Sequence, residues 1–366
     1  VLARGWKLLF VLGCCLAWIA PASASNRFHV GRYLIENWET DDGLPENSAT
    51  AILQTPDGYL WFGTFNGLVR FDGVHFKVTS SANTPGFPGT MIVNLHLDRS
   101  SNLWASTEAG LARLDASGWK AIPWAGGLAR TFVETSKGEL FVSGFAGGIY
   151  RWNGAALEAI PSPVETKSGY LLALDESEQL LAAQVDSLWR RDGEGWRQIE
   201  VPFDDFRLGP GRAGSAWLVN TNELARLENG KIASRERTPA PILQIWGVNE
   251  DSAGNVWIAS YTEGLYVRYR DGTWDHFYED HGLGHGGVRC VAEDREGNRW
   301  VGTSGGGLHR FTPARFTSIG KAAGLPERVV KAALPDGDGG LYVGTYGQGV
   351  VHWKNGEFRR FGGDHL

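Results

Sequence analysis

Beyond residue 30 the chain alternates short apolar–polar runs with clusters of Gly, Asp, Asn and Pro. The clearest set reads SATAILQ, YLWFGT, GLVRF and VHFKV, at residues 48–54, 59–64, 67–71 and 74–78. Period-two alternation bounded by turn residues predicts β-strands. Asp42-Gly43-Leu44-Pro45-Glu46-Asn47, Pro56-Asp57-Gly58 and Asp72-Gly73 supply the turns, the last being a strong hairpin signal. Residues 42–79 therefore predict one four-stranded antiparallel meander.

The same phrase returns along the chain. TPDGYLWFGT…GLVRFDG is echoed by DRSSNLWAST…GLARLD, DSAGNVWIAS…GLYVRY, DREGNRWVGT…GLHRF and DGDGGLYVGT…GVVHW. Aligning on the large apolar residue of the second strand gives eight anchors: Trp61, Trp104, Phe141, Leu181, Trp217, Trp257, Trp300 and Tyr342. By subtraction they lie 36 to 43 residues apart. A period near forty with four strands per unit is the spacing of propeller blades. The fold class expected is all-β, a β-propeller of four-stranded antiparallel blades with eight repeats. Copies four and five are degenerate: the fourth lacks both the Gly and the anchor Trp, the fifth its leading Asp. Seven copies would close a ring by Gly320 and leave Lys321 onward to open a second propeller; a single eight-bladed ring is the alternative. Gly31 to Thr40 (GRYLIENWET) reads as an outer strand with no blade of its own. It is placed to complete another blade across the ring closure and remove an exposed edge.

Two further registers recur. Asp98, Asp175, Asp251, Asp294 and Asp336 each stand six residues before an anchor, and Gly58, Gly138, Gly214, Gly254, Gly297 and Gly339 stand three before. A carboxylate there accepts backbone N–H groups across a tight turn, and the Gly supplies its left-handed residue. These acids read as turn staples rather than catalytic groups.

Composition narrows the class. Fifty glycines, sixteen tryptophans and one methionine suit short strands, tight turns and aromatic packing between sheets. A formal charge of −6 argues against a nucleic-acid surface. Arg4 and Lys7 precede the apolar run Leu8 to Ala20, and Ala22-Ser23-Ala24 offers a cleavage site, so residues 1–24 read as a secretory signal. Residues 25–320 would form the first propeller and 321–366 the eighth repeat. Cys14 and Cys15 leave with the signal, and Cys290 in VRCVAED is left as a buried thiol without a disulfide partner.

Trp38, Asp42-Gly43-Leu44-Pro45, Asn47-Ser48, Asp57-Gly58, Trp61, Gly63-Thr64, Gly67-Leu68 and Arg70-Phe71-Asp72-Gly73 together closely resemble the two-component regulator propeller repeat. The resemblance spans residues 31 to 366, is specific in copies one, six, seven and eight, and blurs in four and five. It implies the exported sensor region of a bacterial transmembrane signalling protein, of histidine kinase or diguanylate cyclase type. Such sensors pair two propellers with a β-sandwich, a membrane helix and a cytoplasmic output domain. No membrane helix, kinase motif or cyclase motif follows the eighth copy here, so a fragment of a longer sensor is expected, itself not an enzyme. Its setting would be the periplasm, with membrane attachment only through the missing helix. Its partners would be an extracellular solute such as a carbohydrate, and further propellers in self-association; nucleic acid is excluded.

Propellers bind ligands at one mouth of the central channel, where interblade loops and loops between second and third strands converge. Those loops hold Asn47, Phe65, Asn66, Phe145, Tyr261, Glu263, His285, Ser304, Tyr346 and Gln348, whose aromatic faces, amides and hydroxyls suit a polar organic ligand. His276, Glu279, Asp280, His281, His285 and Cys290 crowd one stretch, but EDHGLGHGGV aligns with the ordinary DDGLPENSA linker, so no metal is called for, nor any cofactor. The D-x-x-G-x-x-W turns faintly resemble the Asp-box of sialidases, yet the arginine cluster such an enzyme needs is not legible. An exported lyase or glycosidase and a plain interaction scaffold stand as alternatives. A propeller lyase would need a paired His and acid in the channel.

Overall fold

The computed structural model describes residues 27–30, 32–284, 287–314, 324–326, 329–354 and 357–361. The expected signal segment, His285 and the expected boundary between 320 and 321 lie outside them. The chain forms two compact units, Val1–Pro313 and Ala314–Leu366.

The first unit contains seven antiparallel sheets whose strands follow sequence order, and the first is typical. Its strands are Ala51–Gln54, Leu60–Thr64, Gly67–Phe71 and Phe76–Thr79, within a few residues of the sequence expectation. The degenerate fourth and fifth copies also form complete four-stranded sheets. The seventh sheet supplies only Val288–Glu293, Arg299–Thr303 and Leu308–Pro313 from its own repeat. Tyr33–Trp38 takes the fourth place, pairing Asn37 with His309 and Tyr33 with Pro313, and Arg27–Val30 adds a fifth strand. The unassigned N-terminal strand thus completes a blade begun at the other end of the unit.

The innermost strands neighbour one another in chain order: Ala51–Gln54, Ile92–Leu97, Ala129–Glu134, Leu171–Leu174, Arg207–Pro210, Ile245–Glu250 and Val288–Glu293, the last lying against the first again. The cores follow the same order. Trp61 packs into the second sheet, Trp104 into the third, Phe141 into the fourth, Leu181 into the fifth, Trp217 into the sixth and Trp257 into the seventh. Trp300 of the seventh sheet then packs with Phe62 and Phe71 of the first. All seven anchors are buried, and each such side chain contributes about 1.5–3 kcal/mol.

In three repeats an Asp of the turn before the anchor fixes where the ring points. Asp251 accepts the backbone N–H groups of Ala253 (2.9 Å) and Asn255 (2.8 Å) on one oxygen, and the indole N–H of Trp257 (2.8 Å) on the other. Asp98 holds Trp104 (2.9 Å) and Asp294 holds Trp300 (2.7 Å) in the same way. Burial alone would raise the Asp251 carboxyl; the Trp257 and Asn255 hydrogen bonds and the Arg299 charge outweigh it and hold the group below the usual carboxylate range. Where the anchor is not Trp the acid finds another partner: Asp175 takes the guanidinium of Arg190.

The second unit repeats the design once, with Val330–Pro335, Leu341–Thr345, Gly349–Lys354 and Glu357–Phe361 around a small core of Leu325, Val343 and Val351.

Gly58, Gly138, Gly214, Gly254, Gly297 and Gly339 all adopt positive φ, between 77° and 91°. The corresponding residues of the second and fourth copies, Ser101 (φ 62°) and Glu178 (φ 58°), are forced into the same conformation. A left-handed L-residue costs roughly 1–2 kcal/mol. Glu178 recovers part of this by accepting the Ser136 backbone N–H at 3.0 Å. Ser101 is exposed and its side chain holds nothing. Ser101→Gly should therefore raise unfolding free energy by about 1 kcal/mol, measured by guanidinium denaturation; an unchanged or lower midpoint would contradict the turn geometry.

Candidate functional site

At the axis of the first unit lies a cavity of about 550 Å³, lined from all seven innermost strands. Its composition follows from a backbone irregularity. In the second, third, sixth and seventh sheets the innermost pairing slips by one residue, between Ile92 and Asn94, Ala129 and Thr131, Ile245 and Gly247, and Val288 and Cys290. The bulged residues are Val93, Arg130, Trp246 and Arg289, and all four line the cavity. A bulge frees a side chain from the ladder and re-aims it. Each stands eleven positions before its anchor and fifteen before the loop residue opposite, by subtraction.

That second spacing builds the site. Arg130 lies over the ring of Phe145 (5.6 Å), Trp246 beside Tyr261 (6.0 Å), and Arg289 donates to the hydroxyl of Ser304 (3.2 Å). Arg289 is also caged by aromatic faces, with Phe65, Trp246 and Tyr261 at 5.0, 5.3 and 5.5 Å from its guanidinium carbon. Such cation–ring contacts are worth about 0.5–2 kcal/mol and do not neutralise the charge. Backbone bonds hold the loops in place: Phe145 donates to Leu128 (2.8 Å), Tyr261 to Gln244 (3.0 Å) and Ser304 to Gly287 (2.7 Å). Gln244 lines the cavity with a left-handed backbone, φ 45°.

Of the residues expected at a channel mouth, Phe65, Tyr261 and Ser304 meet around Arg289, and Phe145 meets Arg130. Asn47 braces backbone: its side chain accepts the Thr40 N–H (2.8 Å) and its carbonyl those of Gly305 (3.1 Å) and Gly307 (2.7 Å). Asn66 donates its N–H to Thr64 Oγ1 (3.0 Å) and Glu263 its own to Ser260 Oγ (2.9 Å), both closing local turns. Tyr346 and Gln348 belong to the second unit. There Lys331, again a bulged residue, lies 5.2 Å from the Tyr346 ring, and Gln348 accepts from Arg360 (2.6 Å).

Sequence reasoning missed Arg130, Arg207, Trp246 and Arg289. The arginine cluster absent from the linear reading is present in space: three arginines, from the third, fifth and seventh sheets, line one cavity. For Arg130, Trp246 and Arg289 the usable signal was the position eleven before the anchor, where the eight repeats carry Thr50, Val93, Arg130, Tyr170, Phe206, Trp246, Arg289 and Lys331; Arg207, ten before Trp217, falls outside it. In the metal candidate, His276 stacks on Tyr266 at 4.1 Å. Among the described residues no three His, Cys, Asp or Glu side chains converge on a metal-sized site.

Residues 43–66 match the two component regulator propeller family. No curated protein matches the chain. Among solved structures, the extracellular domain of BT3049, assigned to a hybrid two component system of B. thetaiotaomicron, superposes with a TM-score of 0.70 at 20% identity. The match covers 90% of this chain, which spans only about half, 49%, of that domain. A streptogramin B lyase superposes at 0.63 with 15% identity, over 79% of this chain and 98% of the lyase. A catalytically inactive variant of virginiamycin B lyase from Staphylococcus aureus, with quinupristin, gives 0.63 at 12% identity, over 76% and 99%. The first unit is a β-propeller domain, sharing its fold with both groups. Among the described residues no helix is long and apolar enough to cross a membrane.

The lyases overturn one expectation. Exclusion of enzyme activity does not stand, because nearly the whole length of catalytic proteins is built on this same fold.

Cys290 lines the cavity, but its thiol faces the Ala49 carbonyl at 3.5 Å, and burial pushes its pKa up to about 12. The thiolate is the reactive form, so Cys290, in a chain with Cys14 and Cys15 removed or replaced, should stay unlabelled by a disulfide exchange reagent near pH 8 in the native state and react fully once unfolded. Rapid native labelling would contradict this placement.

Proposed function

We propose that the first unit closes as a seven-bladed propeller outside the cytoplasm and is a ligand-sensing module of a longer signal-transduction protein, the second unit opening a further propeller. The reading is carried by the regulator-propeller match in the first repeat, within a chain sharing its fold with an extracellular two component domain. The axial cavity supports it: a rigid frame presents a few non-repeating side chains to one enclosed volume. A ligand held there shifts a signalling equilibrium only by its differential affinity for two arrangements. Well-packed sheets leave contacts at the module's edges as the part that moves. The output is phosphotransfer, as in a histidine kinase, in the arrangement favoured by the two component likeness.

The lyase structures support a second reading, an exported propeller lyase. One experiment separates the two. The purified chain is screened with extracellular solutes, quinupristin among them, by thermal shift, and each mixture is then analysed by mass spectrometry. Sensing predicts saturable stabilisation by a solute recovered unchanged; conversion of quinupristin or of the bound solute overturns it.

A further inference from the structure

The charge of the cavity is opposite to that of the chain. The protein carries a formal −6, yet the charged side chains lining the cavity are Arg130, Arg207 and Arg289, with no Asp or Glu among the described lining residues. Among the described residues none of the three is paired with a close, buried carboxylate. Arg130 donates one nitrogen to the Gly169 carbonyl (2.5 Å). Arg207 donates to the Ile245 carbonyl (3.0 Å), and its nearest acid is Asp205 at 3.4 Å, whose side chain is 72% exposed. Arg289 donates to the Ser304 hydroxyl (3.2 Å), and its Nε is buried without a hydrogen-bond partner.

Apart from the exposed Asp205, which offsets part of the Arg207 charge, these contacts orient the guanidinium groups without cancelling their charge. Carbonyl and hydroxyl acceptors leave donors over, and ring faces leave the positive potential in place. A cleft lined by one sign of charge with low-dielectric walls focuses that potential inward. Guanidinium forks match the planar geometry of carboxylates and other oxyanions. Phe145, Leu171, Ile245, Trp246 and Val291 supply apolar walls between the cations.

We infer that the axial cavity of the first unit binds a small organic polyanion, its oxyanion groups held by Arg130, Arg207 and Arg289 and its body resting on Trp246 and Phe145. The inference rests on the reading of this cavity as the ligand site and names the chemistry it selects. Two of the three cations come from bulges, so charge is set at a position the frame leaves free to vary. The eighth repeat places Lys331 at the same bulge.

The test titrates the full chain with citrate, following thermal stability and tryptophan fluorescence, with the neutral sugar maltose in parallel. Citrate should stabilise saturably, as any ligand of the native state does, and weaken as salt is raised. Arg130→Gln and Arg289→Gln should each reduce affinity about tenfold or more, while Arg197→Gln, on an exposed strand away from the cavity, should not. Trp246→Phe should remove the fluorescence response while citrate still stabilises, which separates binding from any loss of fold in the arginine variants. Citrate binding that survives both cavity arginine substitutions overturns the inference, as does the absence of saturable citrate binding. Maltose binding without citrate binding overturns it too, while leaving the cavity itself as the ligand site.

Discussion

A four-stranded sheet with apolar residues on both faces cannot stand alone in water, and this constraint organises the molecule. In the first unit each anchor side chain leaves its own sheet and enters the core of the next, so the packed interfaces are shared by two repeats. The order continues until Trp300 of the seventh sheet meets Phe62 and Phe71 of the first. Because sheets must meet at fixed angles, the direction of the anchor matters as much as its burial. The Asp98–Trp104, Asp251–Trp257 and Asp294–Trp300 bonds fix it: one carboxylate closes the turn and aims the ring. Arg113, Arg299 and Arg310 lie over the same rings, adding cation–ring contacts at the sheet boundaries.

The site follows from this frame. The innermost strands are held on both sides by neighbours, which leaves little freedom for their ladder residues. A one-residue bulge near the start of the strand escapes that restriction and points at the axis. Repeats that agree at the anchor, the turn and the hairpin therefore disagree at the bulge, where Val93, Arg130, Trp246 and Arg289 stand. Packing between sheets and lining of the cavity occupy separate positions of one repeat, and the cavity lining is positive although the chain is acidic.

Most of the fold was legible because it repeats. Anchors, turn glycines and the Asp residues six before the anchor announced strands and sheets, and the spare run at Gly31–Thr40 announced the strand Tyr33–Trp38 that joins the seventh sheet. The degenerate copies kept their spacing, and spacing was enough: Leu181 fills the place of a Trp, and Asp175 turns to Arg190. The indole bonds of Asp98, Asp251 and Asp294 were not legible, since backbone capping alone accounts for the residue type. The surroundings of the cavity were legible only in part. Phe65, Phe145, Tyr261 and Ser304 occupy a loop that any blade exposes at the mouth, whereas their partners lie inside apparent strands, where alternation assigns a face and a bulge overrides it. Arg130, Arg207 and Arg289 are far apart in sequence, and only stacking of the sheets brings them to one volume.

The central claim, that the sheets support one another as a closed series, is tested most directly at the seam. Tyr33–Trp38 pairs with Leu308–Pro313 and buries Tyr33 and Ile35, so residues 27–38 can be deleted and equilibrium unfolding compared with the intact chain. The account predicts a large fall in midpoint or loss of the cooperative transition, with recovery when a peptide of residues 27–40 is supplied. An unchanged midpoint in a single sharp transition would contradict it.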